Sequence, residues 1–427
     1  MSEKPPLIQT RRRRWPLVAG LCAVVLMLVG VGVAVVVWSG HPAVRTIFAG
    51  ASSSASPSGS PRPSPSRTGM AVAGPLPTGS PVCNARLGFI GALTGPVGPF
   101  GTSIHRGAQL AVDEYNRAHP GCAVTLADFD SQSDPDRVSV LAAAASADQR
   151  LVGVIGTILS GESNAAMPIL NRAGLTAITP TATATNLSAN GWRVFHRAIA
   201  NDAGQASAAA RYITHELHAT RVFVVNDGSA YGSAGAAVVR RGLAGAVAGS
   251  DQVQQGQQHF PGTINKIKTS GATAVYYGGY AAEAGALLSD LRAAGVTATF
   301  IGGDAINDSA FFDAAGGQNA EGAVSTCSCL PSSDQRFESA YGAAYHSAPG
   351  LFSGTAYDVA SIFLVGLAHG VGTRADMLAF VNSFDGTGIS GDYKFTAAGE
   401  LDPGRSTVAI YVVHGGKFSY ERTESAQ

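Results

Sequence analysis

Charge is scarce in this 427-residue chain: Asp, Glu, Lys and Arg make up 14% of it, against roughly 25% in ordinary soluble proteins. Five cysteines are too few for a disulfide scaffold, which a chain of this length does not need. No G-x-S-x-G elbow, no H-E-x-x-H pair and no Walker A lysine motif is present. Gly95, Gly98 and Gly101 lack the spacing of a dinucleotide loop. His215 and His218 stand three apart near Glu216, but they read as a solvated helix end with no third metal ligand in view. The residue types thus point to no enzyme, no metal and no cofactor.

The formal net charge is zero, yet it is unevenly laid out. Residues 1–80 carry eight basic side chains and one acidic one, Glu3, whereas the rest of the chain carries 21 basic and 28 acidic. A mildly acidic main body excludes a nucleic-acid binder, which needs a basic face against phosphates. The first fifteen residues form a basic tail that includes Arg11–Arg14. Directly after it, Pro16 to Trp38 runs 23 residues without a charge, enough as a helix to span a bilayer core of ~30 Å. That length favours an uncleaved signal anchor over a signal peptide, whose apolar stretch is ~7–15 residues. The four arginines place the N-terminus in the cytoplasm and the remainder outside, as a single-pass protein of the cell membrane. Residues 39–82, rich in Ser, Pro, Gly and Ala, read as a disordered tether, because they bury too little apolar surface to offset chain entropy.

From Cys83 onward short apolar runs alternate with helical patterns. Leu87–Ile90 reads as a strand, and Ile104, Ala108, Ala111 and Tyr115 mark one face of a helix. Val124–Leu126 follows as a strand, then Asp134-Pro135, a helix cap with proline at the first helical position. Val152–Ile155, a helix from about Glu162 to Arg172, and Thr176–Ile178 complete a first series. A second runs through Val222–Val225, Ala234–Ala246, Ala274–Tyr277, Ala281–Ala294 and Thr299–Ile301. This rhythm means βαβ units, parallel sheets and two α/β lobes, with the ligand at the carboxyl ends of strands in the cleft.

Particular segments add to that pattern. Gly88–Pro96, Phe100-Gly101 and Gly107–Ala111 are followed by Asp128–Asp130, Asp134-Pro135 and Ile178–Thr183. Tyr231-Gly232, Val275–Tyr280 and Phe300–Asp304 come next. In this order they resemble the type I periplasmic-binding-protein family, in its leucine/isoleucine/valine-binding branch, over about 83–420. The resemblance implies two Rossmann-like lobes joined by three hinge crossings. Lobe one would hold about 83–201 and 328–402, and lobe two about 202–327 and 403–427.

It also implies a site. Ser160 and Thr183 match positions that meet a ligand carboxylate, although small hydroxyl residues commonly do no more than cap helices. Thr181 matches a position whose backbone carbonyl meets the ammonium, and Asp304 stands where the branch usually has glutamate. Phe100, Tyr231, Tyr280 and Phe352 match the aromatic lining, and Tyr357-Asp358 resembles a structural helix motif. The family's own disulfide positions hold Ser133 and Leu159 here. Cys83 with Cys122, and Cys327 with Cys329, are instead the expected pairs outside the membrane. The function implied is capture of an amino acid, or a similar small polar solute, between closing lobes for an ABC importer and its permease. A membrane-anchored ligand sensor signalling to a partner protein is the alternative.

Overall fold

A computed structural model describes residues 70–331 and 334–426. The expected basic tail and anchor, and the tether as far as residue 69, lie outside the described residues. Among the described residues no helix is long and apolar enough to cross a membrane.

A short strand, β1 (Ala71–Val72), precedes a first βα series. It comprises β2 (Arg86–Gly91), α1 (Gly98–Ala118), β3 (Thr125–Asp130), α2 (Pro135–Ala147), β4 (Leu151–Gly156), α3 (Ser160–Arg172), β5 (Ala177–Thr179) and β6 (Phe195–Arg197). The second series is α4 (Asp202–Arg211), β7 (Val222–Asn226), α5 (Ala230–Leu243), β8 (Val247–Gln252), α6 (Pro261–Ser270), β9 (Ala274–Gly278), α7 (Ala281–Ala293), β10 (Thr299–Gly302), α8 (Ser309–Ala315) and β11 (Val324–Cys327). The chain then returns through α9 (Gln335–Tyr345), α10 (Ser353–Ala368), α11 (Arg374–Ser383), β12 (Asp385–Thr387) and β13 (Asp392–Lys394). It ends in a hairpin of β14 (Thr407–His414) and β15 (Lys417–Ser425).

The first series builds a five-stranded parallel sheet in the order β3-β2-β4-β5-β6. The second builds a seven-stranded sheet, β15-β14-β11-β10-β9-β7-β8, parallel except for the terminal hairpin. Helices α10 and α11 pack back against the first sheet, where Val359, Phe363 and Met377 share a core with Leu87, Phe89 and Ile155. The chain therefore crosses between the two sheets three times: after β6, after β11 and before β14.

Local chemistry sets the helix starts. Asp134 accepts from Asp136 N at the head of α2, and Ser229 Oγ accepts from Gly232 N at the head of α5. Helix α3 begins at Ser160, two residues before the expected Glu162, because Glu162 is its third residue and reaches back to Leu159 N. The expected α1 face, Ile104, Ala108, Ala111 and Tyr115, is buried. Asp358 accepts from Ile389 N, Ser390 N, Ser390 Oγ and Tyr393 Oη, so Tyr357-Asp358 sits in a structural corner.

One expected boundary is corrected. The tether was placed through residue 82, yet residues 70–82 lie along lobe one. β1 pairs antiparallel with β12, Gly79 N donates to His369 O at 3.1 Å, and Val82 N donates to Leu367 O at 2.9 Å. The physical reason is that Met70, Val72, Leu76 and Val82 supply apolar side chains, all packed against the lobe-one core, which the Ser- and Pro-rich stretch before them lacks.

Cys83 is bonded to Cys122, with Cα atoms 4.4 Å apart, and Cys327 to Cys329, 5.0 Å apart. The second pair lies on the crossing after β11. There Ser328 Oγ donates to Ala200 O of the first crossing at 2.9 Å, and Tyr411 Oη of β14 donates to Cys329 O at 3.0 Å.

Glycine is required where α1 meets its neighbours. A Cβ on Gly107 would lie 2.0 Å from Ser353 O, and one on Gly101 1.7 Å from Ala92 O. Backbone oxygens cannot swing aside as a flexible side chain does. Gly107→Ala is therefore expected to destabilise the protein by about 1–3 kcal/mol through overpacking, measured by chemical denaturation.

Candidate functional site

The carboxyl ends of both parallel sheets face one cleft. On the lobe-one wall, the loop after β2 is pinned by Asp130 at the end of β3. Its Oδ1 accepts from Leu93 N at 2.9 Å, and its Oδ2 from Thr94 Oγ1 at 2.6 Å. Desolvation pushes the Asp130 carboxyl up, but its hydrogen bonds with Thr94, Gln132 and Leu93 outweigh that and hold it below the usual range. That loop delivers Phe100, whose ring meets Phe352 edge-on with centroids 6.1 Å apart. Phe352 heads α10 at φ +61, a conformation costing a bulky residue ~1–3 kcal/mol.

The neighbouring part of the wall joins α3 to the loop after β5. Ser160 opens α3, and its Oγ accepts from Ala184 N at 3.2 Å, which leaves its own proton free to donate. The Thr181 hydroxyl donates to Ile158 O at 2.6 Å and is used within lobe one. Thr183 is 1% exposed, and its Oγ1 faces the Asp202 carboxyl without a hydrogen bond of normal geometry. An acceptor-bearing ligand would satisfy it.

The lobe-two wall is made of phenols and an acid. Tyr231 Oη donates to Asp304 Oδ1 at 2.7 Å, and the Tyr231 and Tyr280 rings tilt together with centroids 5.5 Å apart. Asp304 N donates to Gln205 Oε1 at 3.4 Å. Burial raises the Asp304 carboxyl despite the Tyr231 hydrogen bond and the nearby Gln205 side chain, and burial lifts both tyrosines well above their ordinary range.

Three buried residues absent from the sequence expectations support these walls. Asp202, the first residue of α4, donates its N–H to Thr183 O at 2.8 Å and lies within the electrostatic reach of Asp304. Its Oδ2 and the Gln205 Nε2 are buried without partners. Arg197 is completely buried. Its Nη1 donates to Ala182 O at 2.9 Å and Ala184 O at 3.0 Å, and its other nitrogens meet Glu400 at 3.0 and 2.5 Å. The signal available was Asn201-Asp202-x-x-Gln205, a capping residue and two polar groups opening a helix just past a strand. Asn201 does cap α4 through Ala203 N.

The predicted residues therefore fall on two walls of one closed cleft, Phe100, Ser160, Thr181, Thr183 and Phe352 on one side and Tyr231, Tyr280 and Asp304 on the other. Closure leaves Asp304 4% and Asp202 2% exposed. His215 lies elsewhere, on a surface concavity of about 470 Å³ with Arg211, Glu216, Arg422 and Glu424. Its charges pair among themselves, Arg211 with Glu424 at 3.1 Å and Arg422 with Glu216 at 3.0 Å. Among the described residues no three His, Cys, Asp or Glu side chains converge as a metal site.

Such a cleft has polar hydroxyls and a helix start on one wall, and buried acid and phenols on the other. This is the arrangement of a two-lobed binding protein. The chain belongs to the periplasmic binding protein family, whose model matches residues 84–417. It is 32% identical over 258 residues to Leu/Ile/Val-binding protein homolog 3 of Brucella melitensis, covering 56% of this chain and 66% of that one. It is 34% identical over 245 residues to Leu/Ile/Val-binding protein BraC3 of Rhizobium johnstonii, covering 54% and 65%. The matches thus span about two thirds of these relatives' length. Among solved structures, LivJ of Streptococcus pneumoniae in complex with isoleucine aligns at a TM-score of 0.73 with 24% identity, over 80% of this chain and 99% of that one. The leucine-binding protein LivK of Thermotoga maritima aligns at 0.71 with 21% identity, over 79% and 98%. Both establish the shared fold.

Two buried acids give the domain a pH signature. Burial pushes Asp202 up to about 7, with Thr183 opposing the rise and Asp304 adding to it. Burial likewise lifts Glu162 to about 7 against its hydrogen bond from Ser131. In the unfolded chain both ionise near 4. Between those values the folded state holds more protons. Their stabilisation is therefore complete below about pH 4 and is lost as pH rises through about 7. Thermal denaturation of the ligand-free protein is expected to show a lower Tm at pH 8 than at pH 5, and Asp202→Asn should flatten that slope.

Proposed function

We propose that this chain is the extracytoplasmic solute-binding component of an ABC importer, which captures an amino acid or a close analogue between its lobes. The observation that carries this reading is the pairing of Tyr231 Oη with buried Asp304 across from the Thr183 hydroxyl and the Ser160 start of α3. An ammonium group finds a carboxylate on one wall, and a carboxylate finds hydroxyls and a helix N-terminus on the other. Ligand bridges the lobes, and only the closed form makes both sets of contacts, so binding shifts the open–closed equilibrium. The family membership and the Leu/Ile/Val-binding names of the relatives support the same reading. Pro16–Trp38 would tether the protein to the cell membrane, with its N-terminus cytoplasmic and an importer permease as its partner.

A panel of amino acids, amides, sugars and nucleosides tested by thermal shift is expected to raise Tm with the amino-acid class. At a hundredfold excess over Kd the native state gains about 2.7 kcal/mol. Asp304→Ala leaves a buried ammonium unpaired and is expected to weaken binding by about 3 kcal/mol, roughly a hundredfold in Kd, by calorimetry. A shift confined to sugars or nucleosides, or an unchanged affinity in the variant, would overturn the assignment.

A further inference from the structure

Phe352 stands on strained backbone, and the strain is held from one side. Ser353 N donates to Gly350 O at 3.2 Å, so Gly350–Ser353 is a four-residue turn with Phe352 at its third position. The φ of +61 and ψ of 1 at Phe352 are the geometry that such a turn ordinarily gives to glycine or asparagine. Phe352 O then accepts from Ala356 N at 2.8 Å, so the turn runs directly into α10. A left-handed phenylalanine persists only where its surroundings over-determine it, and such residues gather at ligand clamps.

One face of α1 supplies the constraint. Phe100, Ser103 and Gly107 recur at intervals of three and four, and all three meet this turn. The Phe100 ring meets the Phe352 ring. Gly350 N donates to Ser103 Oγ at 3.0 Å, and Ser353 Oγ donates to Ser103 O at 2.9 Å. The two serine hydroxyls lie 2.9 Å apart, so Ser103 Oγ gives its own proton to Ser353 Oγ. Tyr341 Oη of α9 donates to Ser103 O at 3.2 Å from the other side. Gly107, without a Cβ, lets Ser353 O approach the helix. One serine thus ties both the first and the last residue of the turn that presents Phe352. The same end of α1 abuts the lobe-one ligand wall. A Cβ on Gly101 would lie 2.9 Å from Ile158 Cδ1, and Ile158 O is the acceptor of the Thr181 hydroxyl.

Resting on the reading above, we propose that Ser103 is a positioning residue for ligand selectivity. It clamps the Gly350–Ser353 turn, so that the Phe352 ring stands as a fixed wall for the apolar side chain of the ligand. Ser103 acts through Phe352 and does not itself touch the ligand. A fixed ring favours a side chain long enough to reach it and gives nothing to a methyl group that falls short. A ring released from the clamp must be ordered again at each binding event, which weakens the long side chain's advantage.

The test is calorimetry of the purified full chain with L-leucine and L-alanine. Wild type is expected to bind leucine at least about tenfold tighter than alanine, since each added methylene in an apolar pocket carries selectivity. Ser103→Ala is expected to lower that ratio by about fivefold or more through weaker leucine binding, with alanine affinity changed by less than about twofold. In a Phe352→Ala background the same substitution is expected to leave the ratio unchanged, because Ser103 acts only through that ring. Ser353→Ala removes the partner hydroxyl and keeps the Gly350 contact. It is expected to lower the ratio as well, and it carries the test if Ser103→Ala does not fold. A lower Tm with an unchanged ratio would assign Ser103 a purely structural role and overturn the inference, leaving amino-acid binding intact. An equal fall in the Phe352→Ala background, or wild type binding leucine no tighter than alanine, would overturn it too. Wild type binding neither amino acid would also overturn it, whereas amino-acid binding as a whole falls only if the wider ligand panel shows nothing.

Discussion

Arg197 is the constraint on which the site depends. Its guanidinium has no exposure, so each N–H must find an acceptor inside the protein. Two are the carbonyls of Ala182 and Ala184, which fix the backbone around Thr183. The others belong to Glu400, which stands just before the third crossing and is held below its usual range by this same charge despite its own burial. One cation therefore sets the ligand loop of lobe one and the end of the chain's last visit to that lobe. Removing it would strand Glu400 and release two carbonyls at once, and for that reason the pair acts as a positioning element rather than a simple stabiliser.

The crossings extend the same logic. Ser328 bonds the first crossing, Tyr411 bonds the second, and the Cys327–Cys329 ring lies between them. The lobes are joined through a few tied segments, and each sheet has its own core. Closure then places unpaired hydroxyl and carboxyl groups in a water-poor cleft, where each unmet hydrogen bond favours a ligand able to meet it. Buried acids that would destabilise a plain scaffold stand on the walls of this cleft. The same burial makes the empty domain sensitive to pH.

Much of the fold was legible because strands buried on both faces, such as Leu151–Gly156 and Ala274–Gly278, read as short continuous apolar runs, while helices such as α1 keep a 3.6-residue apolar period. The site was legible only through ordered motifs. Phe100, Tyr231 and Asp304 are ordinary residues until their distances are known, and the hydroxyl of Thr181 turned out to serve its own lobe. The tether boundary at residue 82 was misplaced because composition averages over a window, whereas four apolar side chains suffice to dock a short strap on a core.

By itself the sequence determined two α/β series, their strands and caps, an acidic body behind a basic, apolar N-terminal stretch, and the residue types available to a small polar ligand. All of these follow from neighbours close in the chain. Only the tertiary structure decided that Asp202 stands between Thr183 and Asp304 and that Arg197 reaches Glu400 two hundred residues later. Those facts depend on how three crossings bring distant segments into one dry cleft, where burial rather than residue type sets the chemistry.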